Sequence, residues 1–348
     1  MKSKLWKKVI LSLAAFLLIT GGISYYYLFT SFTHVRETFL LLIDDDDTVD
    51  SVFTKLSPVA NERAMNTLEK LISYSGYAQN IRSGRYAIAS GEGTFTVFRK
   101  LKNGLQDPVR LTIPSVRTVD RLSAEISKHM MMDSTMLRKA LTDEATCKKV
   151  GLNTNTILCL FIPNTYELFW NTSVDKFLER MKKESDNFWE GENREKAARL
   201  RLSPNEVITL ASIVDEETSN NAEKPMIAGM YYNRLMLRNK EYPQGMPLQA
   251  DPTVKYALGQ FHLKRIYKNM LQYNSPYNTY INVGLPPGPI RIPTLAGINA
   301  VLNLKRHNYL YMCAKEDFSG THNFAKDYEE HLANAAKYAE ALNKRGIQ

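Results

Sequence analysis

Cysteine is scarce in this chain of 348 residues, which contains only Cys147, Cys159 and Cys313. The odd count argues against a fully paired disulfide framework. Cys147 and Cys159 could pair with each other, but we favour buried free thiols for both. The spacing of the Cys and His residues matches no metal-binding pattern. We therefore predict neither a bound metal nor any other cofactor.

Signatures of several protein classes are also missing. The sequence contains no GxSxG, HExxH or Walker motif, and the GEG triplet at 91–93 is too short to bind a dinucleotide. Internal repeats and low-complexity tracts are absent as well. Protease, nuclease and nucleotide-binding functions therefore have no support in the sequence.

The chain has little excess charge beyond its N-terminus. The formal net charge is +9, but four lysines precede the first acidic residue, which leaves 9 − 4 = +5 for the remainder. The basic cluster FRKLKNG at 98–104 is short and lacks interleaved stacking aromatics. We therefore predict no nucleic-acid partner, whereas an acidic polymer outside the cell stays a candidate.

One long apolar run is present, and no second run of that length follows it. Between Lys8 and Arg36 no formally charged residue occurs, and the run ends in a belt of Tyr and Phe. It exceeds the roughly 20 apolar residues that span a bilayer as a helix, and it is longer than the core of a cleavable signal peptide. We predict a single uncleaved transmembrane helix at 9–30. The lysine-rich tail at 1–8 would lie in the cytoplasm, and the chain beyond residue 35 on the periplasmic side of the cytoplasmic (inner) membrane.

The chain after this helix is predicted to be α+β, in two modules. Residues 36–114 carry three strand patterns with three helix patterns between them, which indicates a small α/β module. Its first strand, ETFLLLI at 37–43, is expected to be buried. Residues 115–348 begin with helical patterns and end with two short strands and an amphipathic helix closed by Gly346, which indicates a mixed α/β domain.

The stretch LASIVDEET at 210–218 is the most unusual part of the second module. A capping box of Ser203 and Glu206, with Pro204 in the first helical position, predicts where its helix begins. The helix is apolar on most of its circumference, so it is expected to run through a core. It nevertheless ends in three acids, which the negative end of the helix dipole disfavours.

These three acids point in directions about 100° apart. Glu217 falls on the apolar face, where desolvation raises the pKa of a carboxyl and enables it to donate a proton near neutral pH. Glu216 falls on the polar face, where we expect it to face solvent. Asp215 and Glu216 could raise the pKa of Glu217 by like-charge repulsion, or face water. A solvated helix end without a chemical role is the alternative.

The sequence downstream of this helix supports a binding site. A second helix is predicted to be capped by Asn221, and a short third helix to begin at Asp251 and end before Gly259. Residues 273–294 then form a long stretch rich in Tyr, Asn, Pro and Gly. Loops of this length inside a compact domain are usually functional, and these side chains suit stacking on sugars and hydrogen bonding to their hydroxyl and acetamido groups.

At this point an ordered set of motifs resembles a known family. LASIVDEET, YNRL, GMPLQADPTVKYALG, YNTY and GLPPGPI follow one another as they do in the YceG-like family of membrane-anchored endolytic murein transglycosylases. FIPNTYEL at 161–168 resembles the PDTY segment of the family, with Asn164 in place of the acid. This chain also differs in having Asp215, Glu216 and Ala250 where the family has Glu, Lys and Thr. A further difference is an apparent insertion, RNKEYPQ, before Gly245.

The resemblance implies an activity and a set of site residues. Such enzymes cut the β-1,4 bond from N-acetylmuramic acid to N-acetylglucosamine in nascent peptidoglycan strands, and the 6-hydroxyl of the muramic acid closes onto its own C1 to give a 1,6-anhydro end. The family catalyst corresponds to Glu217. The polar motif residues are expected to bind substrate: Asn233, Gln249, Asp251, Asn278 and Tyr280. The resemblance also implies that 36–114 is LysM-like, that 115–348 is catalytic, and that peptidoglycan synthases are partners.

Two other functions fit the same residues. A glycosidase that uses water would pair Glu217 with Asp251 or Asp215 and would leave a reducing end. A membrane-tethered scaffold that binds glycan strands without cutting them would need the aromatic and amide loop but no catalytic carboxyl.

Overall fold

The structure is a computed structural model that describes residues 2–263 and 265–345. In this part of the chain the helices are α1 Lys2–Phe29, α2 Val49–Leu56, α3 Glu62–Ser75, α4 Thr94–Asn103, α5 Val119–Ser127, α6 Ser134–Thr142, α7 Glu144–Lys149, α8 Val174–Phe188, α9 Glu192–Arg199, α10 Pro204–Glu217, α11 Lys224–Met236, α12 Asp251–Leu258, α13 Leu295–Leu302 and α14 Tyr328–Lys344. The strands are β1 Phe39–Ile43, β2 Gly84–Ile88, β3 Val109–Thr112, β4 Thr165–Leu168, β5 Tyr311–Ala314 and β6 His322–Ala325.

The chain forms two compact units. The first comprises Met1–Leu111, His129–Met132 and Tyr166–Thr172, and the second comprises Thr112–Lys128, Asp133–Thr165 and Ser173–Gln348. The α-helices and the three two-stranded sheets make the fold mixed α/β, as predicted. The module boundary expected after residue 114 lies close to the end of the first segment of unit one. Gly346, the expected end of the last helix, lies outside the described residues.

In the first unit, β1 and β2 form an antiparallel pair with Leu41 opposite Tyr86. The inner face of this sheet packs with α2, α3 and α4 around one apolar core. Thr48 caps α2 through a capping box with Ser51. The prediction that the first strand is buried on both faces was wrong, because Leu40 and Leu42 are 47% and 38% exposed. Because every residue of this strand is apolar, its sequence lacks the alternation of apolar and polar residues that indicates an exposed face.

Helix α1 is long and apolar enough to cross a membrane from Leu5 to Phe29. This helix is compatible with a single-pass membrane anchor. Its last turn packs directly on the rest of the first unit. The Phe29 ring lies 6.1 Å from that of Phe95, and a Cβ on Gly93 would come within 2.7 Å of the Leu28 carbonyl oxygen. The Arg63 guanidinium lies over the ring of Tyr26 at 4.5 Å.

In the second unit, α10 runs through the core, where it packs against α11, α12 and α13. Helix α13 was missing from the sequence prediction, although Thr294 caps it by accepting a hydrogen bond from the backbone N–H of Gly297. Strands β5 and β6 form the predicted hairpin. Cys147 and Cys159 are free and buried, so the preference for buried thiols is confirmed.

Helix α11 begins differently from its prediction. It starts at Lys224 with Glu223 in the capping position and without a side-chain capping bond, so the prediction that Asn221 caps it was wrong. The Glu223 carboxylate instead accepts hydrogen bonds from the backbone N–H of His322 at 2.6 Å and pairs with its ring Nδ1 at 3.0 Å. These bonds join the start of α11 to β6.

Candidate active site

The helix that carries the three acids begins and ends where the sequence predicts. Ser203 and Glu206 form the capping box at the start of α10, and Thr218 follows its last residue. Residues 207–215 are all buried, which includes the polar side of the helix. On that side, Ser212 accepts a hydrogen bond from the backbone N–H of Ile290 at 3.0 Å. The long loop therefore docks on the helix that bears the candidate catalyst.

Asp215 is a structural anchor. Its carboxylate pairs with the Lys224 ammonium at 2.7 Å, and both side chains are almost fully buried. It also accepts a hydrogen bond from the backbone N–H of Thr294, and a Cβ on Gly297 would lie 2.4 Å from its Oδ1. The carboxylate thus joins α10 to α11 and α13. It neither faces water nor lies at the cavity that holds Glu217.

Glu216 does not face solvent, and that expectation was wrong. Its side chain is 12% exposed and accepts two parallel hydrogen bonds from Arg117, each 2.8 Å long, and a third from Arg291 at 3.0 Å. The bond to Glu216 raises the pKa of Arg117. These arginines lie 99 and 75 residues away in sequence, so the pattern of α10 alone could not reveal them.

Glu217 lies at a cavity of about 240 Å³. The residues at this cavity, here called the Glu217 cavity, come from α10, α11, the segment before α12, α12, the long loop and the β5–β6 hairpin: Glu217, Met230, Tyr231, Arg234, Leu248, Gln249, Asp251, Tyr280, Met312, Cys313, Ala314 and His322. The end of a core helix therefore opens into a pocket that is lined mainly by polar side chains.

The pKa of Glu217 is raised to about 7. Burial is the main cause, because it disfavours the ionised carboxylate. The Tyr231 hydroxyl donates a hydrogen bond to Glu217 Oε1 at 2.5 Å and lowers the pKa. The charge of Asp251 raises it, and the charges of His322 and Lys255 lower it. The carboxyl is therefore poised to exchange a proton near neutral pH.

Three of the five predicted substrate-binding residues line the Glu217 cavity. These are Gln249, Asp251 and Tyr280. The Tyr280 hydroxyl donates to Asp251 Oδ1 at 2.6 Å. Gln249 adopts φ +52, a left-handed conformation that is costly for a residue with a side chain. Arg234 supports it by donating to the Leu248 carbonyl at 2.9 Å and to Gln249 Oε1 at 3.1 Å.

The other two predicted residues lie outside this cavity. The side-chain amide of Asn233 donates to the carbonyls of His307 and Tyr309 at 2.8 and 3.0 Å. That of Asn278, which is fully buried, donates to the carbonyls of Leu271 and Tyr273 at 3.0 and 2.9 Å. Both amides are engaged by backbone carbonyls and hold the chain around the pocket, while their role in binding substrate stays a prediction.

Sequence reasoning missed three polar residues of the cavity. Tyr231 precedes the YNRL motif, and its spacing from Ile227 and Leu235 indicates only an apolar helix face. Arg234 belongs to that motif, but nothing in its local pattern indicates that it is buried against carbonyls. The pattern around His322 predicts only a strand. Metal ligation has no candidate here, because no group of three or more His, Cys, Asp or Glu side chains in residues 2–263 and 265–345 could hold an ion.

The model of the YceG-like family matches residues 41–337. This chain belongs to the YceG-like family. The YceG-like resemblance drawn from the motifs is therefore confirmed, and the match covers most of both compact units.

Individual relatives agree with this membership. The endolytic murein transglycosylase of Bacillus subtilis (strain 168) is 27% identical over 313 residues, which cover 85% of this chain and 83% of the relative. The protein of the same name from Streptococcus pneumoniae serotype 2 is 28% identical over 300 residues, 77% of this chain. The match spans about half, 52%, of that pneumococcal protein.

A solved structure shares the YceG-like fold. A YceG-like protein of Listeria monocytogenes, known from a crystal structure at 2.6 Å, superposes with a TM-score of 0.55 and is 26% identical. The superposition covers 86% of this chain and 99% of the Listeria chain. The arrangement of helices and small sheets described above is thus the fold of this family.

Proposed function

We propose that this YceG-like protein is an endolytic murein transglycosylase. It would cleave the bond between N-acetylmuramic acid and N-acetylglucosamine inside nascent glycan strands and leave 1,6-anhydro ends. Relatives of this name from two genera support the proposal. The observation that carries it is the single carboxyl with a pKa of about 7, Glu217, at a polar cavity.

The proposed reaction needs one group that first gives and then takes a proton. Glu217 in its protonated form donates to the glycosidic oxygen as the bond from that oxygen to C1 of the muramic acid breaks. The 6-hydroxyl oxygen of the same sugar forms the new bond to C1, and its proton passes to the Glu217 carboxylate. Atoms balance without water, and the catalyst returns to its starting form. The attack is intramolecular, so no second carboxylate is needed to activate a nucleophile.

The other side chains in and around the cavity would position Glu217, bind the substrate and hold the surrounding chain in place. Tyr231 keeps Glu217 in place and supports its ionised form through the 2.5 Å hydrogen bond. Gln249, Asp251 and Tyr280 offer an amide, a carboxylate and a hydroxyl to sugar hydroxyl and acetamido groups. Asn233 and Asn278 position the β5–β6 region and the long loop.

One other function has a specific observation in its favour. Asp251 lines the same cavity as Glu217 and could activate a water molecule, which would make the protein a hydrolase. Asp215, the other partner considered for a hydrolase, is bound to Lys224 away from this cavity. The two mechanisms differ in their products, because hydrolysis adds a water molecule that transglycosylation does not.

The setting of the reaction is part of the proposal. Helix α1 would anchor the protein in the cytoplasmic membrane with residues beyond 35 on the periplasmic side, where new strands emerge. Ending such strands early would limit their length. Peptidoglycan synthases, which make the strands, are the expected partners. A LysM-like role for residues 36–114, in contact with glycan, fits this arrangement.

Product analysis tests the proposed function. Full-length protein in detergent micelles is incubated with uncrosslinked glycan strands, in parallel with its Glu217→Gln and Glu329→Gln variants. Glu329 is an exposed residue of α14 and serves as the matched control. We expect anhydro products, lighter by one water than hydrolysis products, from the wild type and the Glu329 variant. The Glu217 variant should lose activity by at least a thousandfold, because it has no proton to give.

Two other results would redirect the assignment. Full-mass reducing ends would make the protein a hydrolase and move attention to Asp251. Strands that bind to the wild type without being cut would leave only the scaffold function. An active Glu217→Gln variant would exclude Glu217 as the catalyst.

A further inference from the structure

A second cavity opens next to the Glu217 cavity. It has a volume of about 190 Å³ and is here called the basic cavity. The residues at its wall come from the N-terminal part of the second unit, the end of α10, α12 with the segment after it, and the long loop: Arg117, Glu216, Pro252, Lys255, Tyr256, Phe261 and Ile290. None of the expected substrate-binding residues lies at this cavity.

Positive charge at the basic cavity exceeds negative charge. Glu216 is the acid at its wall, and its carboxylate is shared by Arg117 and Arg291. Lys255 also lies at the wall, and its ammonium makes no hydrogen bond or ion pair with any residue in 2–263 or 265–345. The wall therefore carries two cations and one carboxylate, a net charge of +1, and Arg291 adds a further ion pair to that carboxylate. The Lys255 charge acts on Glu217 only at a distance, so the ammonium is available for direct contact with an anionic ligand.

The donors at this cavity are arranged for an anion. Arg117 uses Nε and one Nη nitrogen for Glu216, which leaves three of its five N–H groups without a partner among the described residues. Its guanidinium lies over the Phe261 ring at 5.2 Å, and this contact fixes its plane. The Tyr256 ring, 6.2 Å from that of Phe261, completes an aromatic wall. A carboxylate with an apolar neighbour fits this combination of charge and ring surface.

Two helices, α10 and α12, each contribute residues to both cavities. Glu216 and Glu217 are consecutive residues, one at each cavity. On α12, Asp251 lines the Glu217 cavity, and Lys255, one helical turn later, lines the basic cavity. A strand that contacts Asp251 at the Glu217 cavity would therefore lie one turn of α12 away from Lys255.

We propose that the basic cavity binds a carboxylate of the peptide substituents carried by the glycan strand, with Lys255 and Arg117 as its ligands. This inference rests on the proposed function, because it takes murein as the substrate. The carboxylate site would enable the protein to discriminate between strands that still carry their peptides and strands from which the peptides have been removed. Glu216 then serves to hold the two arginines in place.

Binding measurements test the inference apart from cleavage. The full-length Glu217→Gln variant, which should bind strands without cutting them, is titrated with peptide-bearing strands and with the same strands after enzymatic removal of the peptides. We expect the peptide-bearing strands to bind more tightly. A Lys255→Gln change added to this protein should weaken their binding about tenfold and bring the two dissociation constants close together. Lys183→Gln, an exposed lysine of α8, is the matched control and should leave both constants unchanged.

The outcomes separate this inference from the proposed function. Equal affinity for both kinds of strand, or an equal loss for both on Lys255→Gln, would overturn the carboxylate site whether or not the wild type cleaves murein. A selective loss would support the site, even if the products of the wild type then identified it as a hydrolase or showed no cleavage. Circular dichroism of the Lys255 variant checks that its fold is retained.

Discussion

Three consecutive carboxylates at the end of α10 have three different environments. Asp215 is buried against Lys224, Glu216 is shared by two arginines, and Glu217 meets a tyrosine hydroxyl at the cavity. Two of the three are neutralised by cations. The dipole of the helix disfavours all of them, so each needs its own compensation. For Glu217 that compensation is protonation, which its proposed role requires.

Tyr231 should set the upper pH limit of activity. Its hydroxyl donates to the Glu217 carboxylate and so opposes the rise that burial causes, which leaves the pKa of Glu217 at about 7. Removing the hydroxyl with Tyr231→Phe removes a bond that favours the ionised form, and the pKa of Glu217 rises. Because the first step uses the protonated acid, the alkaline limb of the pH–rate profile should move to higher pH by up to about one unit. Initial rates measured between pH 5 and about 9 would show the shift.

The neighbouring tyrosine offers a matched control. The Tyr232 hydroxyl donates to the Leu200 carbonyl rather than to Glu217, so Tyr232→Phe should leave the alkaline limb in place. A limb that stays fixed in the Tyr231 variant, or that moves to lower pH, would contradict the assignment of Glu217 as the proton donor.

For single residues, the sequence predicts the direction in which a side chain points better than it predicts the groups that the side chain contacts. The helical spacing of about 100° correctly separated Glu217 from its neighbours and placed it on the apolar face. It failed for Glu216, because the cations that bury it come from Arg117 and Arg291 in distant segments. The substrate-binding role that the family resemblance implies for Asn233 and Asn278 stays a prediction; both amides bind backbone carbonyls, which no local sequence pattern indicates.

At the scale of elements, three helices meet at one ion pair. Asp215 on α10 binds Lys224 at the start of α11 and the backbone N–H that precedes α13. Helix α13 also approaches so closely at Gly297 that a side chain there would meet the Asp215 carboxylate. This contact fixes the end of α10 and, with it, the position of Glu217.

Breaking this pair should destabilise the second unit. Asp215→Asn leaves the Lys224 ammonium buried without its carboxylate, which should lower the free energy of unfolding by about 3 kcal/mol. The double variant Asp215→Asn/Lys224→Met should cost less than the sum of the single changes, because neither charge is then left alone. Urea unfolding of the full-length protein in micelles would measure these differences.

An exposed pair in the same unit provides the comparison. Glu340 and Lys344 on α14 are both more than half exposed, so Glu340→Gln should leave the free energy of unfolding nearly unchanged. If Asp215→Asn cost no more than this, or if the two changes at the buried pair were simply additive, the pair would not hold the three helices together.

The ends of helices were predicted correctly where the capping residues lie within a few positions of the helix end. The Ser203 capping box and the Gly259 helix end are each recognised within a few residues, and both were predicted. Helix α13 was missed because it is short and lies directly after the proline-rich loop. Its cap, Thr294, is stabilised by Asp215 from another element, which a local pattern does not contain.

At the scale of the whole molecule, composition and ordered motifs were sufficient to predict the family and the mixed fold. The apolar N-terminal helix was predicted as well, although the span in the structure, Leu5–Phe29, begins four residues before the predicted one. Packing within each unit was less predictable. The pairing of β1 with β2 could not be predicted, because the sequence of an all-apolar strand does not indicate which of its faces is covered.

The proposed orientation leads to a prediction about protease access. With the lysine-rich tail in the cytoplasm, protease added outside cells stripped of their wall should digest the chain beyond residue 35. A cytoplasmic marker protein should survive the same treatment. Replacing the four N-terminal lysines, Lys2, Lys4, Lys7 and Lys8, by Gln should remove this uniform orientation and protect a fraction of the molecules. Full protection of the wild type would reverse the assigned sides.

With α1 in a bilayer, its close packing on the rest of the first unit would limit how far that unit can move from the membrane. Only Thr30 separates the last helical residue from Ser31, which already bridges to Gly93, and the Phe32 N–H bonds to the Glu92 carbonyl. A flexible tether of 20 residues would allow excursions of about 25 Å, whereas a single residue allows almost none. With α1 in the bilayer, the first unit would diffuse in two dimensions at a fixed height. Glycan beyond that height would then be out of its reach, however abundant it is in the mature wall.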